Sequence, residues 1–120
     1  MADTDRRRGT WSLDTSLERV SGGIVVTPRG RIGSVTARTF AEAVTAARAE
    51  APRVVIDLGK VDYVSGPGVT VLREAASIEG GGAILCGLQE PVRITLELAG
   101  LPDGASIEAT RAAAIERLRR

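Results

Sequence analysis

Histidine is absent from the chain, cysteine and lysine occur once each, and aromatic residues make up only 2%. The missing histidine removes the commonest general base and the commonest metal ligand together. A single cysteine, Cys86, rules out an internal disulfide, a CxxC redox pair and a cysteine-rich zinc site. It lies in the apolar run Ala83-Ile84-Leu85-Cys86 with no basic neighbour close in sequence, and so reads as a buried, inert thiol. Trp11, Phe40 and Tyr63 are the only large rings, so Val, Ile, Leu and Ala must build the core. The same scarcity argues against a pocket that stacks a planar cofactor or nucleic-acid bases, and no cofactor is expected.

Long hydrophobic runs are missing too. None approaches the roughly 20 residues a membrane span needs, and no signal-peptide core follows the start. A cytoplasmic protein without membrane insertion is expected. What remains is ordinary for one small domain: 120 residues, 43% of them apolar. A chain of this length buries roughly two-thirds of the surface its unfolded form exposes, so a core can form without metal or disulfide. The formal charge of +1 is unevenly placed. Arg6, Arg7, Arg8, Arg117, Arg119 and Arg120 against Asp3 and Asp5 leave +4 at the two ends, and the rest of the chain carries −3 of the +1 total. With a slightly acidic body, the arginines read as solvated ends, and no nucleic-acid partner is expected.

Residues 1–10 are polar and without periodicity, which predicts a flexible leader before a single domain over 11–120. Trp11-Ser12-Leu13 suits a short edge strand. Leu17–Val20 and Ile24–Thr27 flank Ser21-Gly22-Gly23, a pattern of two strands about a tight turn. Arg29 to Gly33 should then carry the chain out of the sheet. Phe40, Val44 and Ala47 give one apolar stripe of a helix. Thr36 is placed to cap it, with Val35 and Phe40 as a hydrophobic staple, and Pro52 closes the segment. Val54-Val55-Ile56-Asp57-Leu58 is the strongest strand, β-branched as a central strand covered on both faces requires. Beyond Gly59, Val61–Val64 lead to Ser65-Gly66-Pro67-Gly68 and a second helix from about Pro67 to Glu79, with Val69, Leu72 and Ala76 inward. Gly80-Gly81-Gly82 ends it, and Ala83–Cys86 form the next strand.

Pro91 fits the first position of a third helix, and Gly100 its stop, with Leu101 free to fold back on Leu96. Ser106-Ile107-Glu108 is a last short strand. Thr110 caps a final helix whose Ile115 and Leu118 face inward. Alternating strands and helices force crossover connections, hence an α/β fold with a mainly parallel sheet.

In open α/β sheets, ligands and partners meet the carboxyl ends of strands and the helix starts that follow. The turn Val64–Gly68 is therefore the first place to look. The N–H groups of Gly68 and its neighbours offer a weak anion site, Ser65 a hydroxyl, and Gly66 and Gly68 a close backbone approach. Local rules also allow a plain structural reading, in which Gly66 or Ser65 caps the helix that Pro67 starts. A phosphate loop would need a Lys-Ser/Thr pair or a third spaced glycine, and neither follows. Catalysis at Ser65 would need a base, for which only Lys60 or the nearby Asp57 and Asp62 remain. No enzymatic activity is expected.

The stretch from Val54 through Asp57-Leu58-Gly59, Val61-Asp62-Tyr63-Val64 and Ser65-Gly66-Pro67-Gly68 to Val69 resembles the signature of STAS domains. Pro91 to Leu101 is similar to that family's third helix and its stop, and Gly30-Arg31-Ile32-Gly33 stands where the family has a Gly-x-Leu-Asp turn. The resemblance runs from Leu17 to Leu118. It implies a mixed, mainly parallel sheet of four to five strands with about four helices. It also implies a bacterial regulator of transcription, an anti-sigma factor antagonist that binds an anti-sigma factor or kinase-like protein. In such regulators the kinase phosphorylates a serine at the helix start after the central strand, and the added charge breaks the contact.

The sequence departs from that pattern where the switch should be. The usual Asp-Ser-Ser-Gly falls on Ser65, Gly66, Pro67 and Gly68, so the modified serine is replaced by Pro67. The turn aspartate falls on Gly33. The contact surface implied by the resemblance comprises Gly33, Val64, Ser65, Gly66, Pro67, Gly68 and Val69, with Ser65 and Thr70 the only nearby hydroxyls for a displaced phosphosite. Two other readings stay open: a non-switching subunit of a stress-sensing or lipid-transport assembly, and a weak nucleotide or anion binder at Gly66–Gly68. The oligomeric state is open as well.

Overall fold

A computed structural model describes residues 13–120. Strand β1 (Leu13–Val20) and strand β2 (Gly23–Ile32) form an antiparallel hairpin about the two-residue turn Ser21-Gly22. Helix α1 (Ala37–Glu50) crosses to β3 (Val54–Asp57), β4 (Val61–Val64) leads into helix α2 (Pro67–Ala76), and β5 (Ile84–Cys86) follows. Helix α3 (Glu90–Ala99), β6 (Ser106–Glu108) and helix α4 (Arg111–Leu118) complete the chain. The sheet is mixed and mainly parallel, in the order β1-β2-β3-β5-β6, with β4 pairing β2 as the sixth strand.

That sixth strand arises from a division of labour along β2. Its first half, Ile24 to Val26, pairs with β3, while Gly30 to Ile32 pair with β4. The turn Leu58-Gly59-Lys60 separates the two partners, with the Gly59 amide donating to Asp57 Oδ1 at 2.9 Å. Pro28 stands in the gap between the two ladders, where β2 pairs with neither β3 nor β4 and a missing N–H is cheapest. β2 thus extends to Ile32, whereas sequence reasoning took the chain out of the sheet from Arg29 onward.

Alternation along the central strands divides the core in two. Ile24, Val26, Val54, Ile56 and Leu85 face α1, α2 and α3, meeting Phe40, Val44, Leu72, Val92 and Leu96. Val25, Val55, Ile84 and Cys86 face the opposite way, toward Ala114 and Leu118 of α4. Both faces of the central strands are therefore dry, as their β-branched runs require.

Local signals fared unevenly. Thr110 caps α4 as expected, its Oγ1 accepting from the Ala113 amide at 3.1 Å. Leu118 is buried there and Ile115 half-buried. Thr36 does occupy the N-cap of α1, but its hydroxyl turns back, accepting from the Gly33 amide at 3.1 Å and donating to the Arg31 carbonyl at 2.6 Å. The expected staple is not made, since Val35 is 63% exposed. Helix α2 stops at Ala76, short of Glu79, because the Ser77 hydroxyl donates to the Glu74 carbonyl and accepts from the Gly80 amide. Arg48 reaches across from α1 to bond the Ala75 carbonyl at 2.9 Å. In α3 Glu90 precedes Pro91, so the proline sits one residue further in than predicted, and the Gly100 amide closes on the Leu96 carbonyl. The leader over 1–10 and the residues Trp11 and Ser12 lie outside the described residues, while Leu13 opens β1.

Candidate functional site at the carboxyl ends of β2 and β4

The parallel pairing of Ile32 with Val64 brings two strand ends together. The Ser65 amide donates to the Ile32 carbonyl at 3.1 Å, extending the ladder one step past β4. Gly66 then turns the chain into α2 with φ +48° and ψ −119°, a conformation essentially open only to glycine. Pro67 begins the helix, where no N–H is needed. Gly68 meets a different demand. A Cβ on it would stand 2.3 Å from the Ile32 carbonyl oxygen, so its hydrogen is what lets α2 start against β2.

The predicted contact residues fall into two groups. Gly33, Val64 and Gly68 are buried and act by positioning the rest. Gly66 and Pro67 are exposed, with Ser65 and Val69 half-buried beside them, and Thr70 exposed on the first turn of α2. Gly33 holds the neighbouring turn, its carbonyl accepting from the Thr36 and Ala37 amides at 3.2 and 2.8 Å. Sequence reasoning missed two exposed members of this surface, Ser34 and Val35. The signal for Val35 was present, an apolar residue between a turn glycine and a helix, but it was spent on a staple with Phe40.

One chemical expectation is narrowed. The Gly68 amide is not free for an anion, because it donates to the Ser65 carbonyl at 2.9 Å, and the Thr70 amide is likewise taken by the Gly66 carbonyl at 3.2 Å. Gly66, at the cap position, has no side chain to offer either. The helix start thus exposes Gly66, Pro67 and Thr70, none of which carries a charge. Asp57, raised above as a base for Ser65, is engaged elsewhere: it binds Arg111 at 3.2 Å. Asp62 lies 4.0 Å from Arg31, whose guanidinium also covers the Tyr63 ring at 5.8 Å. Cys86 is fully buried, and burial, with the charge of Asp57 second, pushes its thiol up to about 12. No helix among the described residues is long and apolar enough to cross a membrane.

The sequence profile of the STAS domain matches residues 15–114. This chain is a member of the STAS domain family. BtrV of Bordetella bronchiseptica, named as a candidate anti-sigma factor antagonist, is 31% identical over 111 residues, covering 84% of this chain and 94% of BtrV. An anti-sigma factor antagonist from Mycobacterium paratuberculosis superposes with a TM-score of 0.79 at 29% identity, over 91% of this chain and 96% of that structure. The Bacillus cell-fate determinant SpoIIAA in its phosphorylated form shares the fold, with a TM-score of 0.61 at 19% identity, over 88% of this chain and 100% of SpoIIAA. The chain is thus a STAS domain of the anti-sigma factor antagonist type, a regulatory class with bacterial members.

Proposed function

We propose that this STAS domain binds an anti-sigma factor of the kinase type through the exposed turn at Ser65, Gly66 and Pro67, and that the contact is not switched by phosphorylation at the helix start. Membership of the family and similarity to anti-sigma factor antagonists support an anti-sigma factor as the partner. The observation that carries the missing switch is Pro67 itself, exposed at the first position of α2, where the resemblance puts the modified serine. A ring without a hydroxyl accepts no phosphate, and its fixed φ suits the helix start it occupies. Exposed Gly66 and Pro67, flanked by Ser34 and Val35, offer a surface with no charge to desolvate on docking.

Candidate anti-sigma factors are incubated with the domain, with and without magnesium ATP, and complexes are followed by calorimetry and mass spectrometry. Binding is expected to survive ATP, with no phosphate on the domain. Pro67→Ser is expected to take up phosphate at the new serine and release the partner. Phosphate mapped to Ser65 or Thr70 of the wild type would show a displaced switch and overturn the constitutive reading. Absence of any anti-sigma factor complex would overturn the partner class.

A further inference from the structure

The chain contains six aspartates and no asparagine. Five of the aspartates precede a residue with a side chain: Asp3 and Asp14 are followed by threonine, Asp5 by Arg6, Asp57 by Leu58 and Asp62 by Tyr63. Asp103 alone precedes a glycine, Gly104. The neighbour matters because its main-chain nitrogen is the nucleophile nearest the aspartate carboxyl. A Cβ on that neighbour shields the nitrogen and narrows the backbone angles it reaches, and glycine imposes neither restriction.

The structure sets Asp103 apart from the other described aspartates in a second way. Asp57 is held by Arg111 and by the Gly59 amide, Asp62 lies beside Arg31, and Asp14 is engaged as well. The Asp103 carboxylate makes no hydrogen bond or ion pair among the described residues, and neither does the Gly104 amide. Both residues are exposed, in the turn Pro102 to Ala105 between α3 and β6. The Ala105 amide donates to the Pro102 carbonyl at 3.1 Å, and Gly104 has φ +80°, the value a type II turn places on its third residue.

We propose that Asp103-Gly104 is a self-modification site, at which the chain converts Asp103 to isoaspartate through a cyclic succinimide. The Gly104 nitrogen attacks Asp103 Cγ. The N–Cγ bond forms as the Cγ–OH bond breaks, and the amide proton leaves with the hydroxyl as one water. Water then adds back to the ring. Opening at Cγ restores aspartate, whereas opening at the main-chain carbonyl leaves the chain running through Cβ and Cγ, with the former main-chain carbonyl as a free carboxylate. The net change is an isomerisation, and water is its only co-reactant. A type II turn keeps the Gly104 nitrogen turned away from Cγ, so the ring closes from the opened turn. An exposed turn tied by a single main-chain hydrogen bond belongs to the low end of local stability, which makes that opening accessible. The product lengthens the backbone of the loop that enters β6, whose pairing with β5 begins at Ser106 opposite Ile84. This loop lies at the amino ends of the parallel strands, away from the turn at Ser65 to Pro67, so the modification is independent of the partner contact.

The intact folded chain is aged in warm neutral buffer beside a urea-unfolded sample. Isoaspartate is located by peptide mapping with electron-transfer fragmentation. It is quantified by methyl transfer from S-adenosylmethionine with an isoaspartyl carboxyl methyltransferase. The folded chain should accumulate isoaspartate at Asp103 ahead of every other aspartate. Asp103→Glu, whose ring would be one atom larger, should lose the signal at an unchanged melting midpoint. Asp103→Asn should reach the same product faster, releasing ammonia where aspartate releases water. A folded chain that ages without isoaspartate at Asp103 would overturn the proposal, and formation in the unfolded sample alone would show that the turn protects the site. Earlier reaction at another aspartate, or a methyl-accepting signal that persists in Asp103→Glu, would overturn it equally.

Discussion

Gly68 and Ile32 touch backbone to backbone where α2 begins: a Cβ on Gly68 would lie 2.3 Å from the Ile32 carbonyl oxygen and 2.8 Å from the carbonyl carbon. That carbonyl also accepts from the Ser65 amide, so it cannot swing aside without undoing the end of the β4 ladder. Gly68→Ala should consequently cost about 2–3 kcal/mol, the upper part of the range for overpacking a tight site. Urea unfolding measures it, and a loss under about 0.5 kcal/mol would mean that the helix start shifts freely.

Gly66 makes a different prediction from the same turn. Nothing lies within 4 Å of a Cβ placed there, so a substitution meets only its own backbone at φ +48° and ψ −119°. Strain of this kind costs about 1–3 kcal/mol. Asparagine relieves the left-handed helical region, but this ψ lies outside it. Gly66→Ala and Gly66→Asn should therefore destabilise alike. A markedly milder asparagine in thermal melts would show that the turn relaxes into a left-handed helical form.

These two glycines also mark how far the sequence could be read. The order of strands and helices was legible because apolar periodicity is a local property, and so were ends such as Thr110 on α4. What stayed hidden depended on tertiary neighbours. The division of β2 between β3 and β4 is invisible in its own residues, because it is set by where Gly59 and Lys60 let the chain step sideways. Thr36 looked like an ordinary cap, and only the fold brings the Arg31 carbonyl within 2.6 Å of its hydroxyl. The candidate surface was readable as a segment, Val64 to Gly68, but not its exposure. Gly68 proved to be a buried support with its amide already engaged.

Arg111 ties three strands to the start of α4. Its guanidinium bonds Thr27 Oγ1 at 3.1 Å and Asp57 Oδ2 at 3.2 Å, and it pairs with Glu18 on β1. The Asp57 side chain is 16% exposed and that of Arg111 36%, so this is a partly desolvated cluster and not a surface pair. Arg111→Ala should cost about 1–3 kcal/mol by leaving Asp57 without its charged partner. Arg111→Lys should recover little, since the guanidinium meets Thr27 and Asp57 from one nitrogen and Glu18 from another, a span that a single ammonium nitrogen does not reproduce. Glu18→Gln, at the exposed rim, should cost at most about 1 kcal/mol. Full rescue by lysine would reduce the cluster to simple charge pairing.

The buried thiol of Cys86 supplies a pH dependence whose sign can be worked out. Burial raises its pKa from 9.0 to about 12. The unfolded chain ionises this thiol near the ordinary value, so between pH 9 and 12 it binds fewer protons than the folded protein. Stability is unaffected below that window and falls as pH rises through it, by at most about 1.4 kcal/mol per unit. Comparison with Cys86→Ala isolates the thiol's share of that decline, because Cys86 is the only cysteine of the chain. Cys86→Ala should lose some stability at neutral pH, since a small buried group leaves a cavity, yet flatten the decline in alkali. The wild-type thiol should also resist alkylation at pH 8 until denaturant is added. An alkaline slope that Cys86→Ala leaves unchanged would assign the effect to another group, and rapid alkylation of the folded protein would show that β5 opens on its own.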